Sequence, residues 1–114
     1  MQKIQNLDEN FLEHLLKAYF DKNKQVLINY DILNSAVLLF LGYYKTLDKN
    51  QHSFHIGIIE KVFGSDKTVI TKSNSQSVLG ISYMTFCRYK QQYLSTFKHY
   101  ITQNIEVVTT LDST

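Results

Sequence analysis

The sequence of 114 residues contains no proline. Proline lacks a backbone N–H and its ring clashes with the preceding helical turn, so its absence removes the commonest helix breaker from the whole chain. Long helices are therefore favoured over an architecture of short strands and tight turns. We expect an all-α protein built as a small helical bundle.

The length and composition are those of one ordinary globular domain. Hydrophobic residues make up 44% of the chain and charged residues 19%, which separates it from disordered sequences. A lone cysteine, Cys87, cannot form an internal disulfide, so nothing indicates an oxidising compartment. The most apolar run, residues 36–41, is far shorter than the roughly 20 residues that cross a bilayer, and no signal pattern opens the chain. We expect a cytoplasmic protein without membrane association.

Hydrophobic periodicity predicts three helices in residues 1–64. The first begins near Asn6, which can cap it together with Glu9, and carries a wide apolar stripe to Phe20. The second starts at about residue 25 or 31 and ends at about residue 47, with residues 26–28 as an alternative short strand. A polar break at residues 48–51 precedes a third helix near residues 52–63, which stops at Gly64.

The second helix is apolar almost all round, from Ile32 to Leu47. Such a helix is either the centre of the core or a subunit interface. In the second case two copies would pair through this helix. We favour a homodimer.

The remainder of the chain divides less clearly. Ser65 and Asp66 can cap a helix that starts after them, and residues 67–78 are ambiguous between helix, strand and loop. A last strong helix is predicted from Tyr83 to about Thr102, with residues 105–114 as a frayed tail or short strand. We expect one compact domain, in which residues 1–64 form the core or dimerisation part and residues 65–104 a second part.

A helix-turn-helix is predicted around Leu79-Gly80-Ile81-Ser82. Gly80 can adopt a positive φ without a Cβ penalty, the flanking apolar residues can hold two helices together, and Ser82 can cap the second helix. Aromatic residues then recur at three- and four-residue steps and predict a buried stripe on that helix, formed by Phe86, Tyr89, Tyr93 and Phe97.

The opposite face of this helix carries side chains that suit the major groove of DNA. Arg88 can fork onto a guanine edge and Gln91 can pair with adenine. The residues expected to read bases are Tyr83, Met84, Cys87, Arg88 and Gln91. The residues expected to contact phosphates are Lys72, Ser82, Lys90 and Lys98.

The distribution of charge favours the same partner. Residues 67–105 contain no acidic side chain but five lysines and arginines, although the net charge of the whole chain is only +2. A surface without carboxylates does not repel a polyanion. The alternative is chance, in a chain with only ten acidic residues. Double-stranded DNA is therefore the expected partner, and residues 65–104 are the expected DNA-binding part. In a homodimer the two reading helices would span two half-sites about one DNA turn apart.

The residues from Gly80 to Lys90 resemble a known family. Gly-Ile-Ser followed by Thr-Phe-x-Arg-Tyr-Lys resembles the helix-turn-helix of region-four-like sigma factors, and more closely that of phage late-gene activators of the ArpU type. Those proteins commonly end in Ile-Glu-Val, here residues 105–107. Where the family usually has an apolar-Ala pair, this chain has Ser75-Gln76. The resemblance, over residues 74–107, implies a transcriptional activator of a phage or mobile-element operon, with an N-terminal part for dimerisation or contact with RNA polymerase.

Other functions find less support in the sequence. His52 and His55 are spaced to share a metal ion, but a zinc site needs further ligands, and beyond Cys87 only His14 and His99 are available. No phosphate-cradling glycine loop or nucleophile motif occurs. We therefore expect no enzyme, no metal and no cofactor. The alternative to a DNA-binding regulator is a protein-binding modulator of another regulator or of RNA polymerase.

Overall fold

Five α-helices account for most of the chain in a computed structural model that describes residues 8–21, 29–64 and 68–112. In order they are α1 (Glu9–Phe20), α2 (Tyr30–Gln51), α3 (His55–Phe63), α4 (Ser75–Leu79) and α5 (Tyr83–Asp112). No strand occurs in these ranges, so the expected all-α class is confirmed. The strand alternative at residues 26–28 and the caps predicted at Ser65 and Asp66 lie outside the described residues.

The core forms where α5 packs along α2, the most extensive contact between any two helices. One hydrophobic cluster joins residues of α1, α2, α3 and α5. The stripe predicted on α5 is confirmed, because Phe86, Tyr93 and Phe97 are buried and Tyr89 packs against the cluster. Phe97 meets Phe40 of α2 edge to face, with ring centroids 5.7 Å apart, the geometry that aromatic pairs prefer.

The start of α1 differs from the prediction. Asp8, not Asn6, is the N-cap, and its Oδ1 accepts a hydrogen bond of 2.8 Å from the backbone N–H of Phe11. Asn6 itself lies outside the described residues. A carboxylate at this position both satisfies a free N–H and interacts favourably with the positive end of the helix dipole, which explains why the helix begins at Glu9.

The junction between α2 and α3 also differs. The polar residues 48–51 do not break α2, which continues to Gln51 and is capped by His52 in the left-handed conformation, with a φ of 53°. Asp48 is instead the cap of the next helix: its carboxylate accepts hydrogen bonds from the backbone N–H groups of His55 (2.8 Å) and Ile56 (2.9 Å). The polar side chain that suggested a break therefore fixes the start of α3.

The last helix is longer than expected. The backbone is helical through Asp112, so the frayed tail or strand predicted from residue 105 is wrong for residues 105–112. Before it, residues 68–71 are irregular, residues 72–74 form a turn, and α4 has five residues. Among the helices that the structure describes, none combines the length and the apolar character needed to span a membrane.

Candidate nucleic-acid interface

The turn between α4 and α5 has the predicted backbone. Gly80 caps α4 in the left-handed conformation, with φ 73° and ψ 15°, and its N–H donates to the carbonyl oxygen of Gln76 at 2.9 Å. A Cβ placed on Gly80 would find no atom of the described residues within 4 Å. Glycine is thus favoured here by the backbone conformation alone, and not by lack of space.

Ser82 begins α5 as predicted. Its Oγ accepts a hydrogen bond from the backbone N–H of Thr85 at 3.2 Å and donates one to the Thr85 hydroxyl at 2.9 Å. This is the capping arrangement that satisfies a free N–H in a first helical turn. The hydroxyl expected to contact phosphate is therefore already engaged within the chain.

Two contacts that the sequence did not suggest hold α4 in place. Ser75 is almost fully buried, and its hydroxyl donates to the carbonyl oxygen of Ile81 at 2.8 Å across the turn. From the end of α3, Lys61 Nζ donates to the carbonyl oxygen of Val78 at 2.9 Å. The serine thus lies at a buried position that suits a small residue, and its hydrogen bond adds a link between the start of α4 and the turn.

The predicted base-reading residues divide between two faces of α5. Met84, Arg88 and Gln91 share one exposed face, which we call the α5 stripe. Met84 is 83% exposed, and Arg88 forms no ion pair with any described residue. Further along the same helix Lys98 is exposed as well, as is Lys72 in the turn before α4.

Tyr83, Cys87 and Lys90 line a cleft beside α1, and Gln91 of the α5 stripe lies at the border of the same cleft. Each of the first three lies one position before a stripe residue, and consecutive residues of a helix are rotated by about 100°. The prediction that Cys87 faces outward is wrong, because it is half-buried and packs against the core cluster. A hydrogen bond with the Cys87 thiol raises the pKa of Tyr83, so both groups interact with each other at the edge of the cleft.

Lys90 is paired within the chain. Its ammonium group forms an ion pair with Glu13 of α1, which also lies 3.5 Å from Lys17 Nζ. Partial burial alone would raise the pKa of Glu13, but the hydrogen bond and the positive charge of Lys90, together with Lys17, lower it overall. Glu13 is therefore ionised at neutral pH and neutralises Lys90. Residues 67–105 contain no acidic residue in the sequence, but in the folded chain Glu13 lies next to one of their lysines.

A buried polar cluster behind α5 was missed by sequence reasoning. His55, at the start of α3, is buried, and its Nδ1 lies 2.6 Å from the hydroxyl of Tyr93. The neighbouring Tyr44 hydroxyl lies 3.0 Å from the Oγ1 of Thr96. His52 is exposed, and in the described ranges no three His, Cys, Asp or Glu side chains are grouped to hold a metal. The role of His55 here is a hydrogen bond that joins α3 to α5.

Comparisons with family models, with curated proteins and with solved structures found no match to this chain. The resemblance of residues 80–90 to phage activators consequently stays a prediction.

Proposed function

We propose that this protein is a sequence-specific DNA-binding transcriptional regulator, in which α4, the Gly80 turn and the N-terminal half of α5 act as a helix-turn-helix. The observation that carries the proposal is the α5 stripe. Its three side chains are exposed on a helix whose start is fixed by a left-handed glycine and a serine cap, while aromatic residues bury the other side. A rigid helix with one free polar face is what major-groove recognition requires.

Within this proposal the exposed residues have separate roles. Arg88 donates a bidentate pair to the O6 and N7 atoms of guanine, Gln91 pairs with adenine, and Met84 contacts a thymine methyl group. Lys72 and Lys98 contact phosphates, which position the protein without reading sequence. Tyr83, Cys87 and Lys90 lie towards the α1 cleft. We therefore propose that their main role is to hold α5 in place, rather than to contact DNA.

The biological role is inferred from the resemblance of residues 80–90. It suggests an activator of a phage or mobile-element operon that acts in the cytoplasm, with RNA polymerase as a further partner. We propose no catalytic activity and no cofactor.

The test is fluorescence anisotropy with a random-sequence DNA duplex, titrated at increasing salt. We expect binding at low salt that weakens as salt rises, because lysines and arginines displace counterions from the phosphates. Lys98→Ala should lower the affinity and reduce the slope of log K against log salt by about one. Glu60→Gln, at an exposed acidic position of α3, is the control for the effect of a surface substitution outside the α5 stripe. It should not reduce this slope.

A protein-binding modulator is the second candidate. Two observations favour it: α4 is only five residues long, and Glu13 neutralises one of the basic side chains near the α5 stripe. This candidate predicts no change of anisotropy at micromolar protein and low salt. That result would refute the DNA-binding proposal and leave the α5 stripe as a surface for another protein.

A further inference from the structure

Part of the outer face of α2 is apolar although it is exposed. Residues 32–44 contain no charged side chain, yet Leu38 is 57%, Leu39 50% and Tyr43 46% exposed. Together with residues of α2 and α5 next to them they line one groove. We call this surface the α2 patch; it consists of Leu38, Leu39, Gly42, Tyr43, Thr46 and Tyr100. Contiguous exposed apolar residues mark interaction surfaces in small soluble proteins.

Gly42 makes this surface suited to another helix. It lies in the interior of α2, where glycine is a poor helix former compared with alanine, and a Cβ placed on it would meet no atom within 4 Å. No described residue therefore requires glycine at this position. A flat site without a side chain does allow a second helix to approach closely.

We propose that the α2 patch is the interface of a symmetric homodimer in which the α2 helices of two copies pack antiparallel. Leu38 and Gly42 lie one helical turn apart on the same side of α2. A twofold axis near residue 40 places Leu38 of each copy over Gly42 of the other. A twofold interface must be self-complementary in this way, because the same surface is used twice.

The charges at the two ends of α2 fit the same axis. Asp31 and Lys49 are both exposed, and because they are five helical turns apart they lie on the same side of the helix as Leu38 and Gly42. An antiparallel pair about residue 40 brings Asp31 of each copy opposite Lys49 of the other. Lys45, which is exposed on the same side, then lies opposite the uncharged Ser35. A parallel pair would place like charges opposite each other, which is unfavourable.

This interface leaves the α5 stripe accessible. Tyr100 is the part of α5 that lines the groove, and it lies about 18 Å along the helix axis from Arg88 at 1.5 Å per residue. The dimer does not depend on the proposed function. If both are correct, two copies of the α5 stripe belong to one assembly, as half-site recognition requires.

The experiment is light scattering on the full chain from micromolar to millimolar concentration. We expect the mass to rise from 13.3 kDa towards twice that value. Leu38→Lys and Gly42→Gln should each raise the dimer dissociation constant by about tenfold or more. Gly42→Gln is informative because it replaces a helical glycine, so the monomer should melt at the same or a higher temperature. Val69→Lys, at a position that is 76% exposed outside the patch, is the matched control and should dimerise like the unmodified chain.

A charge exchange tests the antiparallel arrangement. Asp31→Lys alone and Lys49→Asp alone should each weaken association, and the double variant should recover it, provided that circular dichroism shows intact helices. A monomer at every concentration, or a dimer that neither Leu38→Lys nor Gly42→Gln weakens, would overturn the inference. Salt-dependent DNA binding by a chain that stays monomeric would overturn the dimer alone and leave the proposed function in place.

Discussion

Replacing Gly80 by alanine tests the turn on which the placement of α5 depends. The residue has a φ of 73°, and an added Cβ meets no atom within 4 Å, so steric overlap contributes nothing to the cost. The cost is that of holding an L-residue in the left-handed region, roughly 1–2 kcal/mol. Alanine also restricts the unfolded chain, which offsets about 0.4–1 kcal/mol of it. We expect Gly80→Ala to lower the free energy of unfolding by about 1 kcal/mol.

The assay is thermal unfolding followed by circular dichroism. For a chain of this size a loss of about 1 kcal/mol lowers Tm by roughly 4 °C. Gly80→Asn should lose less, because asparagine tolerates the left-handed region better than alanine. Gly57→Ala is the matched control. Gly57 is exposed inside α3 with open space around it, so alanine there should stabilise the protein by up to about 1 kcal/mol.

The opposite signs of the two alanine substitutions are the result that matters. If Gly80→Ala were as stable as the unmodified protein, or more stable, Gly80 would not be left-handed and the turn would be built differently. A similar loss in both alanine variants would indicate a general intolerance of substitution and refute the conformational argument.

Three further predictions concern the structure behind the site. Tyr93→Phe removes the hydroxyl partner of buried His55 and should cost about 1–3 kcal/mol in urea unfolding, because a polar group is left unsatisfied. Burial alone would raise the pKa of Asp48, but hydrogen bonds from the start of α3 lower it overall. The carboxylate therefore contributes stability above about pH 4, and this contribution is lost as pH falls through the lowered pKa. Asp48→Asn should flatten that part of the plot of stability against pH. Gly64→Ala places a Cβ 2.2 Å from the carbonyl oxygen of Glu60 and should lower Tm, because the backbone must shift.

The sequence was informative where structure depends on neighbours within a few residues. The helical class is explained by apolar spacing and the absence of proline, and the turn at Gly80 by a glycine, two apolar neighbours and a capping serine. In each case the determining contacts are local, such as the hydrogen bond from the Thr85 N–H to Ser82 Oγ. Such contacts form regardless of how the helices pack.

The parts that could not be predicted depend on packing between helices. Asp48 looked like the end of α2 because its role, capping α3, depends on how the chain turns between the two helices. Lys90 was predicted to contact phosphate because no acidic residue is near it in the sequence. Glu13, which neutralises it, lies on α1, far away in the sequence. Tyr83 and Cys87 are spaced along α5 in the same way as the residues of the α5 stripe. Their spacing therefore does not show that they face α1, which only the packing of α1 against α5 reveals.

Recognition of DNA by the α5 stripe can be tested by selection of bound fragments from randomised duplex DNA, carried out in parallel with the unmodified protein and with Arg88→Ala. We expect an enriched motif for the unmodified protein that contains a guanine, and loss of preference at that one position for the variant, equivalent to about 1–3 kcal/mol of discrimination. Glu60→Gln, at the exposed position of α3, should enrich the same motif as the unmodified protein. No enriched motif, or the same motif from the unmodified protein and from Arg88→Ala, would contradict the claim that the α5 stripe reads DNA.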